Sequence, residues 1–221
     1  MPSILLHLLP ATLYTALGVR FWHSRWHAPA LSSRPGLRPW ERALMLLALL
    51  AHGFALHSVF FSPEGIHFGF SLALSLMMWL AMLFYWIESL YARLEGLQTL
   101  AMPFAALCSL LPAFFPDQHL LANAGSALFR AHFVVAMLAY SLFTLAALHA
   151  VLMAVAEKRL HGARLSRAFA ALPPLLTMET LLFRLIGIAF VLLTLTVASG
   201  VLFSEALFGK AFRLDHKTVF A

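Results

Sequence analysis

The chain has 221 residues, 62% hydrophobic and 11% charged, with a mean hydropathy of +0.87 and a formal charge of +6. Soluble domains are roughly half apolar and about a quarter charged, so a water-soluble globular fold is excluded and lipid must form part of the solvent. A single cysteine, Cys108, excludes an internal disulfide and a cysteine-rich metal site. The basic excess lacks the aromatic-interleaved basic blocks of nucleic-acid binders; it is read instead as cytoplasmic loop charge.

About 20 mostly apolar residues are needed to cross about 30 Å of hydrocarbon as a helix. The first such run spans Ser3 to Trp22; its basic residues follow the apolar stretch, which marks a membrane helix rather than a cleavable signal. Residues 23–39 form a loop with Arg25, Arg34 and Arg38, and Arg42 stands just beyond it. The second span runs from Trp40 to Phe61 and contains "LLALLAHGFALHSVFF", in which His52 and His57 interrupt an apolar run. The third runs from Phe68 to Leu90 and is followed by loop 91–95 with Arg93. The fourth runs from Gly96 to Phe115 and carries Pro103 and Pro112, which neighbouring helices can accommodate.

The fifth span runs from Phe129 to Ala156, and loop 157–178 then carries Lys158, Arg159, Arg164 and Arg167. The sixth runs from Glu179 to Phe203. The tail ends on "LDHKTVFA", an apolar run that reads as the start of a seventh helix. Three basic loops fall on one side, whereas "SPEGIH" and "PDQHLLANAGSALFR" hold Arg130 alone. The basic loops are therefore expected in the cytoplasm and the N-terminus outside. The expected fold is all-α: a single polytopic transmembrane bundle over residues 1–221, with six spans plus the start of a seventh.

Topology sorts the eleven histidines. His57, His67, His119, His132 and His216 fall at or near the outer boundary, with His7 in the outer half of the first span. His23, His27, His149 and His161 fall on the cytoplasmic side. His52 is the deep one, about 13 Å of helix below Phe61. An ionisable side chain at that depth either faces a ligand or cavity, or is neutral and hydrogen-bonded to a neighbouring helix. His52 and His57 point about 140° apart on an ideal helix, so one face cannot present both to one metal. No histidine pair has helical zinc-site spacing, and neither a G-x-S-x-G elbow nor a P-loop is present. Glu88 and Glu179 lie near cytoplasmic ends, where snorkelling or a nearby arginine accounts for them. Imidazoles on different helices in an apolar, aromatic-rich chain suit a flat apolar ligand whose metal takes axial nitrogen, and haem is the natural candidate. Trp79, Tyr85 and Trp86 read either as ring contacts or as interfacial and packing aromatics.

Several stretches together resemble the cytochrome c assembly protein family, the haem-handling CcsA/CcmC-like membrane proteins, most nearly the YpjD/HemX-like branch. They are "RAHFVVAMLAYSLFTLAALHAVLMA" with Tyr140 and Ser141, "PPLLTMETLLFRLIGIAFVLLTLTVASG", "LDHKTVFA", "LLALLAHGFAL" and "GIHFGFSLALSLMMWL". The resemblance implies a bacterial inner-membrane protein of cytochrome c assembly that delivers or exports a b-type, non-covalent haem. Its implied partners are the bilayer, haem and other maturation proteins. It assigns His132 as an iron ligand at the outer face, matches His52 to a histidine recurrent in the branch, and likens His67 to a membrane-embedded haem histidine. The tryptophan-rich haem motif of larger relatives is absent, and the family continues for about two helices where this chain stops at Ala221, which implies truncation. No catalytic residue is expected. A small membrane transporter and a cofactor-free assembly factor are the alternatives.

Overall fold

A computed structural model describes residues 2–27, 37–62, 65–91, 96–116, 119–121, 124–161, 172 and 174–204. The expected seventh-helix start lies outside the described residues, as do Arg34, Arg93, Arg164 and Arg167.

Six described helices are long and apolar enough to cross a membrane. Helix α1, Pro2–Phe21, passes into a π-helical turn at Trp22–His27. Then come α2 (Pro39–Phe60), α3 (Phe70–Tyr91), α4 (Leu97–Phe114), α5 (Ala127–His161) and α6 (Leu175–Leu202). This is the expected all-α, multi-pass membrane architecture.

The largest boundary differences have simple causes. The 35 residues of α5 rise about 52 Å, well beyond about 30 Å of hydrocarbon. Hydropathy locates only the lipid-facing part, and the helix continues through Glu157 and Lys158 because charged residues are no obstacle to helix once outside lipid. Helix α6 starts at Leu175, four residues before Glu179, because Pro174 is its N-cap and supplies the stop on that side.

The segments joining α2 to α3 and α4 to α5 contribute a small ribbon. Strands β1 (Phe61–Ser62), β2 (Gly65–Phe68) and β3 (His119–Leu120) form an antiparallel sheet in the order β1-β2-β3. Phe61 pairs with Ile66, and His67 with Leu120. Open sheet edges are not tolerated in hydrocarbon, so the ribbon marks one boundary of the apolar slab. The opposite end carries Arg20, Arg38, Arg42 and Lys158.

Helix α1 lies against α2 and α4, and α3 against α2, α4 and α5. Tyr14, Leu17, Met45, Leu49, Met82, Tyr85 and Met102 fill the centre, and Ala48, Ala81, Ala101 and Ala105 are fully enclosed. Small residues let helices approach closely where no hydrophobic effect drives association. Helix α6 rests chiefly on α5. Its buried residues, Met178, Leu185, Ala189 and Thr196, form one stripe, while Phe183, Phe190, Val197 and Leu202 face outward.

Gly96, which caps α4, has φ +91°. A Cβ there would press into Leu172 and come within 3.2 Å of Leu152 Cδ2. Gly96→Ala is expected to lower stability by roughly 1–3 kcal/mol, from left-handed strain and crowding together. Thermal unfolding in detergent checks this; an unchanged midpoint would contradict it.

Candidate functional site

Hydrocarbon offers no hydrogen-bond partners, so each polar side chain in the bundle must be traced to one. The tryptophans tie α3 to α2: Trp79 Nε1 donates to Leu49 O at 2.8 Å and Trp86 Nε1 to Arg42 O at 3.1 Å. Gly53 permits the first contact, because a Cβ would sit 3.1 Å from the Trp79 ring. Tyr85 donates to Gln98 Oε1 at 3.0 Å. At the basic end Arg42 donates to Ser89 O at 2.8 Å, Arg184 pairs with Glu88, and Arg20 lies 3.9 Å from the buried carboxylate of Glu41. Glu88 thus has the arginine partner expected of it. Glu41 is inconspicuous in the sequence because it sits in the first turn of α2, where an acidic residue is ordinary.

His52 occupies the middle of the α1–α4 cluster and is 0% exposed. Its Nε2 lies 2.9 Å from Ser75 Oγ on α3, and its ring meets Tyr14 edge-on at 5.7 Å. Its Nδ1 has no partner; neither does Tyr14 Oη, nor Nδ1 of the buried His7. These atoms make a polar pocket of side chains inside an otherwise apolar core.

His132 lies in the second turn of α5, half-buried against α6. Its Nδ1 is 2.8 Å from Ser199 Oγ, and that hydroxyl stands 3.0 Å from Thr196 O. Where the hydroxyl gives its proton to Thr196, Nδ1 donates to Ser199 and Nε2 of the neutral imidazole carries the lone pair. His149, on the same helix, is held the other way: Nε2 donates to Met178 O at 3.0 Å, and Nδ1 is buried without a partner.

His67 stands on β2. Strand alternation puts Ile66 and Phe68 on one face and His67 on the other. Phe68 meets Phe133 at 4.9 Å, so the Ile66 face is turned to the helices and His67 away from them. The three histidines singled out by sequence therefore occupy three places: His52 inside α1–α4, His132 at the α5–α6 seam, and His67 on the ribbon. Among the described residues no three His, Cys, Asp or Glu side chains converge as a metal site. Axial ligation needs one imidazole beside a slot, not a cluster.

From sequence His57 reads as a boundary histidine, and Arg130 as the lone basic residue of the outer loops. Both line an apolar cavity beneath the ribbon. The available signal was the concentration of phenylalanines at the same helix ends: Phe60, Phe61, Phe129 and Phe133.

The model of the Cytochrome C assembly protein family matches residues 40–221. The chain belongs to this family. No curated protein and no solved structure matches the chain. Membership gives the chain a role in cytochrome c biogenesis as a multi-pass membrane protein. The matched stretch begins with α2 and takes in His52, His57, His67, His132 and His149; α1, with His7 and Tyr14, precedes it.

The His52–Ser75 bond is open to a double-mutant cycle with His52→Ala and Ser75→Ala. Hydrogen bonds between membrane helices average about 0.6 kcal/mol and reach about 1.7, and a fully enclosed pair should fall in that range. Unfolding in mixed micelles measures the coupling; a value of zero would show that the bond adds no stability.

Proposed function

We propose that this protein handles haem during cytochrome c assembly, with His132 supplying axial nitrogen to the iron at the ribbon end of the bundle. The carrying observation is the 2.8 Å contact between His132 Nδ1 and Ser199 Oγ, because metal-binding histidines are oriented by a bond to the other ring nitrogen; Nε2 is the nitrogen proposed to meet iron. Family membership supplies the biological setting.

The chain's own residues then have distinct tasks. His132 binds and Ser199 orients. Haem itself supplies the iron that the imidazole meets. His52 is a second ligand candidate because its Nδ1 lacks a partner inside the bundle. His67, on the ribbon, is a third and would meet only a ligand that reaches the boundary. No covalent step is required, so the protein is an assembly factor and not an enzyme in this reading. Arg20, Arg38, Arg42 and Lys158 gather at one end, which supports a cytoplasmic basic end and an outer ribbon end; the proposed setting is a bacterial inner membrane.

Protein purified from haem-replete cells is expected to show a Soret band that His132→Ala diminishes. Ser199→Ala should weaken haem binding by roughly tenfold or more, the usual effect of losing an outer-shell partner. If wild-type protein shows no Soret band and His132→Ala leaves cytochrome maturation intact, the proposal falls.

A further inference from the structure

Beneath the ribbon is a cavity of about 460 Å³, within the roughly 300–1,000 Å³ of small-molecule sites. It lies in the wedge where α3 packs against both α2 and α5. Its floor includes Gly53, Leu76 and Trp79, and the indole N–H of Trp79 is already engaged with Leu49 O. Its sides carry aromatic rings: Phe129 and Phe133 stack at 17°, and Phe60 lies 6.0 Å from Phe133. Two ionisable side chains line it, His57 and Arg130, and both are exposed at its rim.

We propose that this cavity receives the haem ring, with His57 meeting the iron and Arg130 pairing with the ring's carboxylates. The inference rests on the haem reading above and adds a site to it. His57 and Arg130 are assigned here from the cavity alone.

Three features select this ligand class. The walls are aromatic, and aromatic faces favour stacked or edge contacts with a flat π-system. A lipid tail gains nothing in such a slot over the bilayer outside, and it has no use for an imidazole. The polar groups are also of complementary kinds. Imidazole is an axial iron ligand, and guanidinium forms paired hydrogen bonds with carboxylate. Arg130 is the only Lys or Arg in residues 61–69 and 115–130. It gives one N–H to Gly125 O at 3.0 Å, and a guanidinium has five.

The cavity and the His132 site lie on different faces of α5. Arg130, Phe133 and Val134 share the cavity face at helical spacing, whereas His132 turns to Ser199 on α6. Two imidazoles near one membrane boundary, separated by a single helix, form two stations for one cargo.

The test uses full-length protein in detergent, titrated with haem and, separately, with iron-free protoporphyrin. Quenching of tryptophan fluorescence and the Soret band are the readouts. His57→Ala should weaken haem roughly tenfold and leave protoporphyrin unchanged, because only iron needs the imidazole. Arg130→Gln should weaken both roughly tenfold, as the loss of a charged hydrogen-bonded pair does. Val134→Trp, at an exposed position on the cavity face, should block both without disturbing the core. Wild-type haem binding that all three variants leave unchanged overturns the cavity assignment alone. Absence of haem binding by wild-type protein overturns this inference together with the haem reading.

Discussion

A membrane interior cannot accept or donate a hydrogen bond, and that constraint arranges most of this molecule. The indoles of Trp79 and Trp86 reach backbone carbonyls of α2, and the phenol of Tyr85 reaches Gln98. Ser58, Ser109, Ser141, Thr144, Thr180, Thr194 and Thr196 turn back onto carbonyls three or four residues earlier in their own helices. Each of these bonds removes a polar group from lipid, and those that cross between helices also set relative position. The Trp79 bond is the clearest case. It needs Leu49 O as acceptor and Gly53 one turn on, so one small residue fixes how α3 sits against α2.

Against that background the exceptions carry information. An unpaired polar atom buried in protein costs roughly 1–3 kcal/mol, and the α1–α4 centre holds three: His7 Nδ1, Tyr14 Oη and His52 Nδ1. At His52 part of that cost is offset by the bond to Ser75, which phenylalanine in its place would leave unpartnered. His7 and Tyr14 lie seven residues apart on one face of α1, before the family-matched stretch. Whatever His52 does, it does against a partner helix that the matched region does not include.

The sequence made the helices legible because the spans announce themselves through length and apolarity alone. It also singled out His52, whose depth follows from counting residues to Phe61. It did not make legible which way any ring turns. His57 and His52 share one helix, yet one lines a cavity and the other is sealed between α1 and α3. That difference depends on how α2 rolls against its neighbours, and the roll is set by long-range bonds such as Trp79 to Leu49. The ribbon was hidden for another reason. "SPEGIH" and "PDQHLLANAG" lie 49 or more residues apart in sequence, and strands this short carry almost no pattern of their own. Arg130 acquires meaning only once the cavity beneath the ribbon brings it near His57.

Helix α5 is where these strands of structure meet, and its two interior histidines show how position selects role. His132 and His149 both bond to α6, about 25 Å apart along the helix by its rise, and together they pin a helix that otherwise rests on an apolar stripe. The two bonds use opposite ring nitrogens. His149 donates from Nε2 to a backbone carbonyl, and its Nδ1 is buried in the seam without a partner. His132 uses Nδ1 toward the Ser199 hydroxyl near the other end of α6. The two contacts therefore seat α6 at both of its ends, and rolling α6 against α5 would have to break both of them at once.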